Sequence, residues 1–141
     1  KGIKEVGETV GELYGYDLLK LEWLNSINYI IPVPLHSKKL KARKYNQSEY
    51  FAKGLSKSTQ IPIETTVLYR SKDSSTQTKK SRFKRWENVA EIFDIKEFKK
   101  IEGKHILLVD DVITTGATLE ASVSASKKVN CKVSIVTIAC A

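Results

Sequence analysis

The sequence predicts an α/β fold in which a mostly parallel central sheet is flanked by helices. Short apolar runs alternate along the chain with segments whose apolar residues recur at helical spacing. The clearest runs are Tyr29 to Val33 and Ile106 to Val109. The 141 residues contain no internal repeat, and we predict a single domain over residues 1–141 with a core of its own.

The first predicted element is a helix over residues 3–24, within an N-terminal segment at 1–25. Gly7, Gly11 and Gly15 recur every four residues and therefore share one face of this helix. Because glycine weakens a helix, this face indicates close approach of another backbone, for which a partner subunit is one candidate. The segment is accordingly predicted to be a hood or a dimer element, and the protein to be a homodimer.

A strand, a helix and a second strand are predicted next. Tyr29 to Val33 is the first strand, and prolines mark its end. Residues 46–57 are predicted to form a helix with Asn46 or Ser48 as its cap. Ile61 to Tyr69 is predicted to be the second strand.

The stretch from Arg70 to Lys84 contains almost no apolar residue and is rich in Ser, Thr, Lys and Arg. It is predicted to be a mobile loop, and a long loop inside a compact domain is often a lid. An extended segment at 89–95, a strand at 106–109, a helix at 119–128 and a last strand at 132–139 complete the predicted order.

The composition argues against several classes of protein. No apolar run approaches the roughly 20 residues of a membrane helix, and the N-terminal segment lacks the apolar core of a signal peptide. Cys131 and Cys140 are predicted to be buried reduced thiols, and together with His36 and His105 they lack the ligand spacing of a zinc site. We therefore predict a cytoplasmic protein that has no membrane partner.

The net charge of +8 is concentrated in two clusters that hold half of the 24 basic residues. The first cluster consists of Lys38, Lys39, Lys41, Arg43 and Lys44, and the second of Arg70, Lys72, Lys79, Lys80, Arg82, Lys84 and Arg85. Such clusters favour polyanionic ligands, either pyrophosphate groups or a nucleic-acid backbone. A solvated basic face is the alternative for either cluster alone.

The segment at 106–118 carries most of the functional information. Four apolar residues precede Asp110 and Asp111, and a turn with hydroxyl and glycine residues leads into an Ala- and Ser-rich helical stretch. The turn residues are Thr114, Thr115, Gly116 and Thr118. This order places backbone N–H groups and hydroxyls at a helix N-terminus, where a phosphate binds readily. The upstream carboxylates are suited to accept hydrogen bonds from sugar hydroxyls or to lie near a metal ion, so the segment predicts a ribose 5-phosphate site.

Other interpretations of this segment fit less well. Ordinary helix capping explains a single Asp or Thr, but it does not require the full combination. A P-loop is a poorer match because the chain contains no Gly-Lys-Ser or Gly-Lys-Thr. A receiver-type acidic pocket also has paired carboxylates, but it does not need the Thr-Thr-Gly-x-Thr turn.

The segment resembles the phosphoribosyl-pyrophosphate signature of type I phosphoribosyltransferases: four apolar residues, two acids, two apolar residues and Thr-Thr-Gly-x-Thr. The resemblance implies the fold of that family, with a flexible basic lid loop. It also implies that Asp110 and Asp111 hold the ribose hydroxyls and lie near Mg²⁺ indirectly, through those hydroxyls or through water. The residues implied to bind the 5′-phosphate are Thr114, Thr115, Gly116, Ala117 and Thr118.

Earlier segments are similar to those of competence protein F (ComF)-like phosphoribosyltransferases, an amidophosphoribosyltransferase-like subfamily. The similarity lies in the residues from Pro32 to His36, in the Tyr45-Asn46-Gln47 triplet, and in Arg70, Gln77, Arg85, Asn88, Val89 and Phe93. Lys44 stands where the subfamily usually has Gly, and Lys80 where it usually has Leu. The amino-terminal zinc-ribbon cysteines of longer members do not occur in this sequence.

The resemblance assigns roles to the charged residues. Lys38, Lys39 and Arg43 border the pyrophosphate loop, Arg82 and Arg85 belong to the lid, and His36 either contacts pyrophosphate or base or is a structural hydrogen bonder. The implied activity is Mg²⁺-dependent transfer of ribose 5-phosphate from phosphoribosyl pyrophosphate to an unidentified base or amine. The alternative is a non-catalytic protein that senses phosphoribosyl pyrophosphate or a nucleotide, or that assists DNA uptake by binding single-stranded DNA.

Overall fold

The computed structural model describes residues 2–71 and 93–141. Within these residues, two short 3₁₀ helices, Glu22–Ser26 and Phe98–Lys100, lie between the longer elements. The helices and strands, in chain order, are α1 (Gly2–Leu18), β1 (Tyr29–Pro32), α2 (Ser37–Arg43), α3 (Gln47–Thr59), β2 (Leu68–Arg70), β3 (Phe93–Ile95), β4 (His105–Ile113), α4 (Ala117–Lys127) and β5 (Lys132–Cys140). The alternation of strands and helices agrees with the predicted fold class.

The central sheet has the strand order β1-β4-β5, and both pairs of neighbouring strands are parallel. An isolated parallel bridge joins Ile30 to Ile63 on the other side of β1. The strand predicted from Ile61 to Tyr69 was therefore wrong in extent. Ile63 forms only this bridge, and a separate strand, β2, begins at Leu68. β2 pairs with β3 in a separate antiparallel ladder. The sequence did not distinguish the two because both parts are short and apolar.

The apolar residues of β4 alternate between two cores, one on each face of the sheet. Leu107 and Val109 lie in the core that contains residues of α3, while Ile106 and Leu108 lie in the core that contains residues of α4. All four side chains are fully buried. Burying a side chain of this size contributes about 1.5–3 kcal/mol to the stability of the fold. Because β4 is packed on both faces, its position in the sheet is fixed, and so is the position of the residues that follow it.

The glycine face of α1 packs against α3 of the same chain. A Cβ atom added to Gly11 would lie 2.2 Å from the carbonyl oxygen of Phe51, and one added to Gly54 would lie 2.0 Å from the carbonyl oxygen of Glu8. The predicted close approach of another backbone is thus confirmed, and the backbone belongs to α3. The glycines therefore give no support to a partner subunit, and the homodimer stays a prediction. The helix itself ends at Leu18 and not at residue 24.

Two further sequence expectations concern the described residues. Within residues 2–71 and 93–141, no helix combines the length and apolar character that crossing a membrane requires. Both cysteines are free thiols. The predicted burial is confirmed for Cys131 but was wrong for Cys140, which is exposed because it is the last residue of β5.

The buried side chain of His105, at the amino end of β4, connects neighbouring segments of the chain through hydrogen bonds. The Ser26 hydroxyl donates to the Trp23 carbonyl, so its oxygen accepts from Nδ1–H of His105 at 2.7 Å. Nε2 of His105 then accepts from the Ser134 hydroxyl at 2.8 Å. The Asn28 side chain accepts from the backbone N–H of His105 at 2.9 Å. This arrangement requires the neutral imidazole.

We expect the stability of the protein to fall as the pH falls below about 6.5. Burial, together with the charge of Lys132, lowers the pKa of His105 in the folded state. The unfolded chain therefore takes up the proton first, near pH 6.5, and unfolding becomes easier by up to about 1.4 kcal/mol per pH unit until the folded-state pKa is reached. Calorimetry between pH 7.5 and 5 measures this loss. A His105→Gln variant that keeps the same loss across this window would contradict the assignment.

Candidate functional site

The carboxyl ends of β1 and β4 meet at one edge of the central sheet. Pro32 is in register with Val109, and the backbone N–H of Val33 donates to the carbonyl of Val109 at 2.9 Å. β4 does not end there, as the sequence had predicted, but continues to Ile113 because β5 keeps pairing with it. Asp110 and Asp111 therefore lie just past the point where β1 stops, an edge at which ligands of parallel sheets gather.

Asp110 is held in place by two hydrogen bonds to the same carboxylate oxygen. The Ser48 hydroxyl donates to Oδ1 at 3.1 Å, and the backbone N–H of Asp111 donates to it at 2.9 Å. Burial raises the pKa of Asp110, and both hydrogen bonds oppose the rise because they favour the ionised form. The neighbouring Asp111 adds to the rise.

Ser48 reaches Asp110 from the first turn of α3, whose start is fixed by Asn46. The Asn46 side-chain oxygen accepts from the backbone N–H of Ser48 at 3.1 Å, and its Nδ2 donates to the carbonyl of Val33 at 3.0 Å. Of the two caps offered by the sequence, Asn46 is the one used. The contact between Ser48 and Asp110 was not predicted, because 62 positions separate the two residues in the sequence.

Arg70 lies at the same edge and contributes positive charge. Its Nε donates to the carbonyl of Pro34 at 3.0 Å, and its guanidinium lies 4.6 Å from the ring centroid of Phe93. Burial lowers the pKa of Arg70 and the charge of Asp110 raises it. Because an arginine side chain stays protonated in proteins, Arg70 is a fixed cation beside the acid. The sequence analysis had grouped it with the second basic cluster.

Asp111 has different surroundings from Asp110. Its Oδ1 accepts from the backbone N–H of Val112 at 2.8 Å. It also lines an apolar groove with Ile3 and Val6 of α1 and Ile138 of β5. Asp110 and Asp111 therefore have different hydrogen-bond partners, although their side chains lie close enough for Asp111 to raise the pKa of Asp110.

The turn at Thr114–Gly116 is open and leads directly into α4. Gly116 adopts a left-handed φ of +81°, and a Cβ atom added to it would meet no atom within 4 Å. The Thr115 hydroxyl accepts from the backbone N–H of Ala117 at 3.3 Å. α4 begins at Ala117, two residues earlier than predicted. The predicted order of strand, acids, turn and helix is therefore present, with backbone N–H groups of the first turn of α4 at this edge.

The first basic cluster forms α2, a helix that the sequence analysis did not predict. Lys38, Lys39 and Arg43 lie on it, and none of its residues is buried. His36 caps the helix, because its Nδ1 accepts from the backbone N–H of Lys38 at 3.1 Å. This is the structural role weighed for His36. The residue also lines a cleft together with Arg70.

Lys44 is the C-cap of α2; it adopts a left-handed φ of 66° and donates its backbone N–H to the carbonyl of Leu40 at 2.7 Å. Glycine is favoured at such a position, and here lysine adopts the left-handed conformation in its place. We expect Lys44→Gly to stabilise the protein by about 0.5–1 kcal/mol. Urea unfolding measures the change, and Lys41→Gly, in the interior of the same helix, should instead destabilise. A loss of stability in Lys44→Gly would contradict this account of the turn.

Several predicted residues lie outside the described part of the chain. They include the lid residues Arg82 and Arg85, most of the second basic cluster, and Gln77, Asn88 and Val89. Their roles stay predictions.

The carboxylates suit a magnesium ion that arrives with its ligand. Among the residues that the structure describes, no three His, Cys, Asp or Glu side chains come together as a metal site. Mg²⁺ commonly uses one or two carboxylates, several waters and the phosphates of a substrate. Asp110 and Asp111 fit this kind of binding, and the predicted indirect role near Mg²⁺ needs no further protein ligand.

Comparison with known proteins gives a family and several relatives. A family model described as the phosphoribosyl transferase domain matches residues 46–141. Competence protein F of Haemophilus influenzae is 37% identical over 91 residues, which are 64% of this chain and 40% of that protein. Competence protein ComFC of Bacillus subtilis is 32% identical over 90 residues, or 64% of this chain and 34% of that protein. The chain thus spans 40% or less of the length of these two relatives.

Two solved structures illustrate the similarity in fold. Glutamine phosphoribosylpyrophosphate amidotransferase from B. subtilis, complexed with ADP and GMP, superposes with a TM-score of 0.62 at 20% identity, covering 93% of this chain and 26% of that one. Adenine phosphoribosyltransferase from Leishmania tarentolae gives a TM-score of 0.57 at 14% identity, covering 94% of this chain and 56% of that one. At these identities the likeness shows the fold alone.

Proposed function

The chain belongs to the phosphoribosyl transferase domain family, and we propose that it binds phosphoribosyl pyrophosphate and transfers its ribose 5-phosphate to a nitrogen nucleophile. The observation that carries the proposal is one continuous junction: a fixed carboxylate on β4, three residues before the strand ends, followed by an open Thr-Thr-Gly turn and the start of a helix. Carboxylate oxygens accept from sugar hydroxyls, and a helix start binds a phosphate. The two halves of the junction therefore match the two halves of a ribose 5-phosphate.

In the proposed reaction the bond between C1 of the ribose and the pyrophosphate oxygen breaks, and a bond from C1 to the acceptor nitrogen forms. Pyrophosphate leaves with the bonding electron pair, and the nitrogen gives up its proton to water. Asp110 holds a ribose hydroxyl and places negative charge near the ring as positive charge develops on it. Arg70, whose cation lies beside Asp110, is positioned to offset negative charge on the diphosphate. Mg²⁺, when bound, would neutralise charge on the leaving group.

A screen for pyrophosphate release tests the proposal. The protein is incubated with phosphoribosyl pyrophosphate, Mg²⁺ and individual purines, pyrimidines and amines, and pyrophosphate is measured. We expect release that depends on one class of acceptor and that is lost in Asp110→Ala. Binding of phosphoribosyl pyrophosphate without release for any acceptor would favour a sensor, and a lack of binding would contradict the proposal.

A second candidate function is binding of single-stranded DNA by a non-catalytic protein. Two observations favour it: α2 is wholly exposed and carries no acid, and relatives are named competence protein F and DNA utilization protein. Lysine and arginine side chains along an exposed helix can neutralise DNA phosphates.

For this candidate, we expect replacement of Lys38, Lys39 and Lys41 by alanine to weaken binding to a single-stranded oligonucleotide. The slope of log K against log salt concentration should fall by about 2, since each lost phosphate contact on a single strand contributes about 0.7. Fluorescence anisotropy at several salt concentrations measures the slope. A matched variant with alanine at the exposed Lys99, Lys104 and Lys127 should leave it unchanged. No oligonucleotide binding at low salt would exclude the candidate.

A further inference from the structure

We propose that Ser48 is a positioning residue whose hydroxyl fixes the carboxylate of Asp110 for the sugar of the ligand. The proposal deepens the proposed function, on which its binding test rests. It assigns a role to a residue outside the Asp-Asp-containing segment and on a different structural element, α3.

The contact between Ser48 and Asp110 is specific and shielded. Ser48 is only 3% exposed, and its hydroxyl lies 3.1 Å from Oδ1 of Asp110. The backbone N–H of Asp111 donates to the same oxygen. Both hydrogen bonds engage Oδ1, so they hold the side chain by one oxygen, and the ligand is assigned to the other.

Ser48 is itself held by the start of α3. Asn46 accepts from the Ser48 backbone N–H and donates to the carbonyl of Val33 at the end of β1. Further along the helix, Gly54 packs closely on Gly11 and so holds α3 against α1. The serine is thus fixed relative to both β1 and β4, and it can fix Asp110 in turn.

A fixed carboxylate binds a sugar hydroxyl better than a mobile one. An aspartate whose side chain rotates freely loses that freedom when it binds a ligand, and the lost conformational entropy weakens the complex. A side chain already held by a buried hydroxyl has lost that freedom before the ligand arrives. Removing the hydroxyl should therefore weaken binding through Asp110 and by no other route.

A double-mutant cycle tests this dependence. The dissociation constant of phosphoribosyl pyrophosphate with Mg²⁺ is measured by calorimetry for the unaltered chain, Ser48→Ala, Asp110→Ala and the double variant. We expect Ser48→Ala to raise the dissociation constant about tenfold, and to change it less than twofold when Asp110 is already alanine. Ser48→Thr, which keeps the hydroxyl, should recover most of the loss. Ser58→Ala, on the same helix and away from Asp110, is the control and should bind as the unaltered chain does.

Additive effects in the cycle, or a Ser48→Ala variant that binds normally, would overturn the proposal. A second measurement does not need the ligand: NMR relaxation of the Asp110 Cβ methylene in the free protein. We expect its order parameter to fall in Ser48→Ala and to stay unchanged in Ser58→Ala, and an unchanged value in both would overturn the proposal. If the unaltered chain does not bind phosphoribosyl pyrophosphate, the proposed function fails, and the NMR measurement still decides whether Ser48 positions Asp110.

Discussion

Replacing Asp110 and Asp111 together with asparagine is expected to weaken Mg²⁺-dependent binding of phosphoribosyl pyrophosphate by about a hundredfold or more. Each carboxylate that accepts from a sugar hydroxyl contributes a charge-assisted hydrogen bond, and two such bonds together account for an effect of this size. Titration calorimetry with and without Mg²⁺ measures the loss. Single variants should separate the contributions, and we expect the larger one from Asp110, because its carboxylate is fixed by Ser48.

The loss should occur without unfolding. Burial raises the pKa of Asp110, so its charged form is disfavoured in the folded protein, and a neutral amide there should not lower the melting temperature at pH 7. The control is Asp17→Asn with Asp94→Asn, which removes the same number of charges from α1 and β3. Unchanged binding in the Asp110 and Asp111 double variant would contradict the assignment of the site.

The second large effect is expected at the crossing of α1 and α3, where Gly54→Ala should destabilise the protein by about 3 kcal/mol. The added methyl group would lie 2.0 Å from the carbonyl oxygen of Glu8 and 2.6 Å from the backbone nitrogen of Glu12. Both contacts are with backbone, so the helices must separate. For a domain of this size the melting temperature should fall by roughly 10 °C. Calorimetry or circular dichroism measures the change.

Gly7→Ala is the matched control for this experiment. It makes the same chemical change within α1, and its new methyl group would meet only the Cβ of Tyr50, at an ordinary 3.6 Å. Because alanine favours a helix over glycine, this variant should gain about 0.5–1 kcal/mol. A Gly54→Ala protein as stable as Gly7→Ala would show that the helices do not cross as described.

Local patterns predicted the parallel sheet, its helices and the order of the turn at 114–118. The apolar run at 106–109 lies within β4, and of the two predicted caps, Asn46 and Ser48, the structure uses Asn46; both features depend on residues that are neighbours in the sequence. The short helix α2 was missed because none of its residues is buried, so it has no apolar stripe for a periodicity to reveal. The extension of β4 to Ile113 was missed because it depends on pairing with β5.

The parts of the site that the sequence did not predict are long-range. The hydrogen bond between Ser48 and Asp110 joins residues 62 positions apart, and the contact of Arg70 with Pro34 spans 36. The glycine face of α1 correctly indicated a close backbone, but a repeat of glycines carries no information on whether that backbone belongs to the same chain. Such contacts are set by the arrangement of the sheet, which no local pattern contains.

NMR titration of the ¹⁵N-labelled protein with phosphoribosyl pyrophosphate and Mg²⁺ tests most directly whether the junction after β4 binds a sugar phosphate. We expect the largest amide chemical-shift changes at Asp110 and Asp111 and across Thr114 to Thr118, with Gly116 among them. Shifts confined to α2, or a titration that leaves the turn at 114–118 unperturbed, would contradict this expectation.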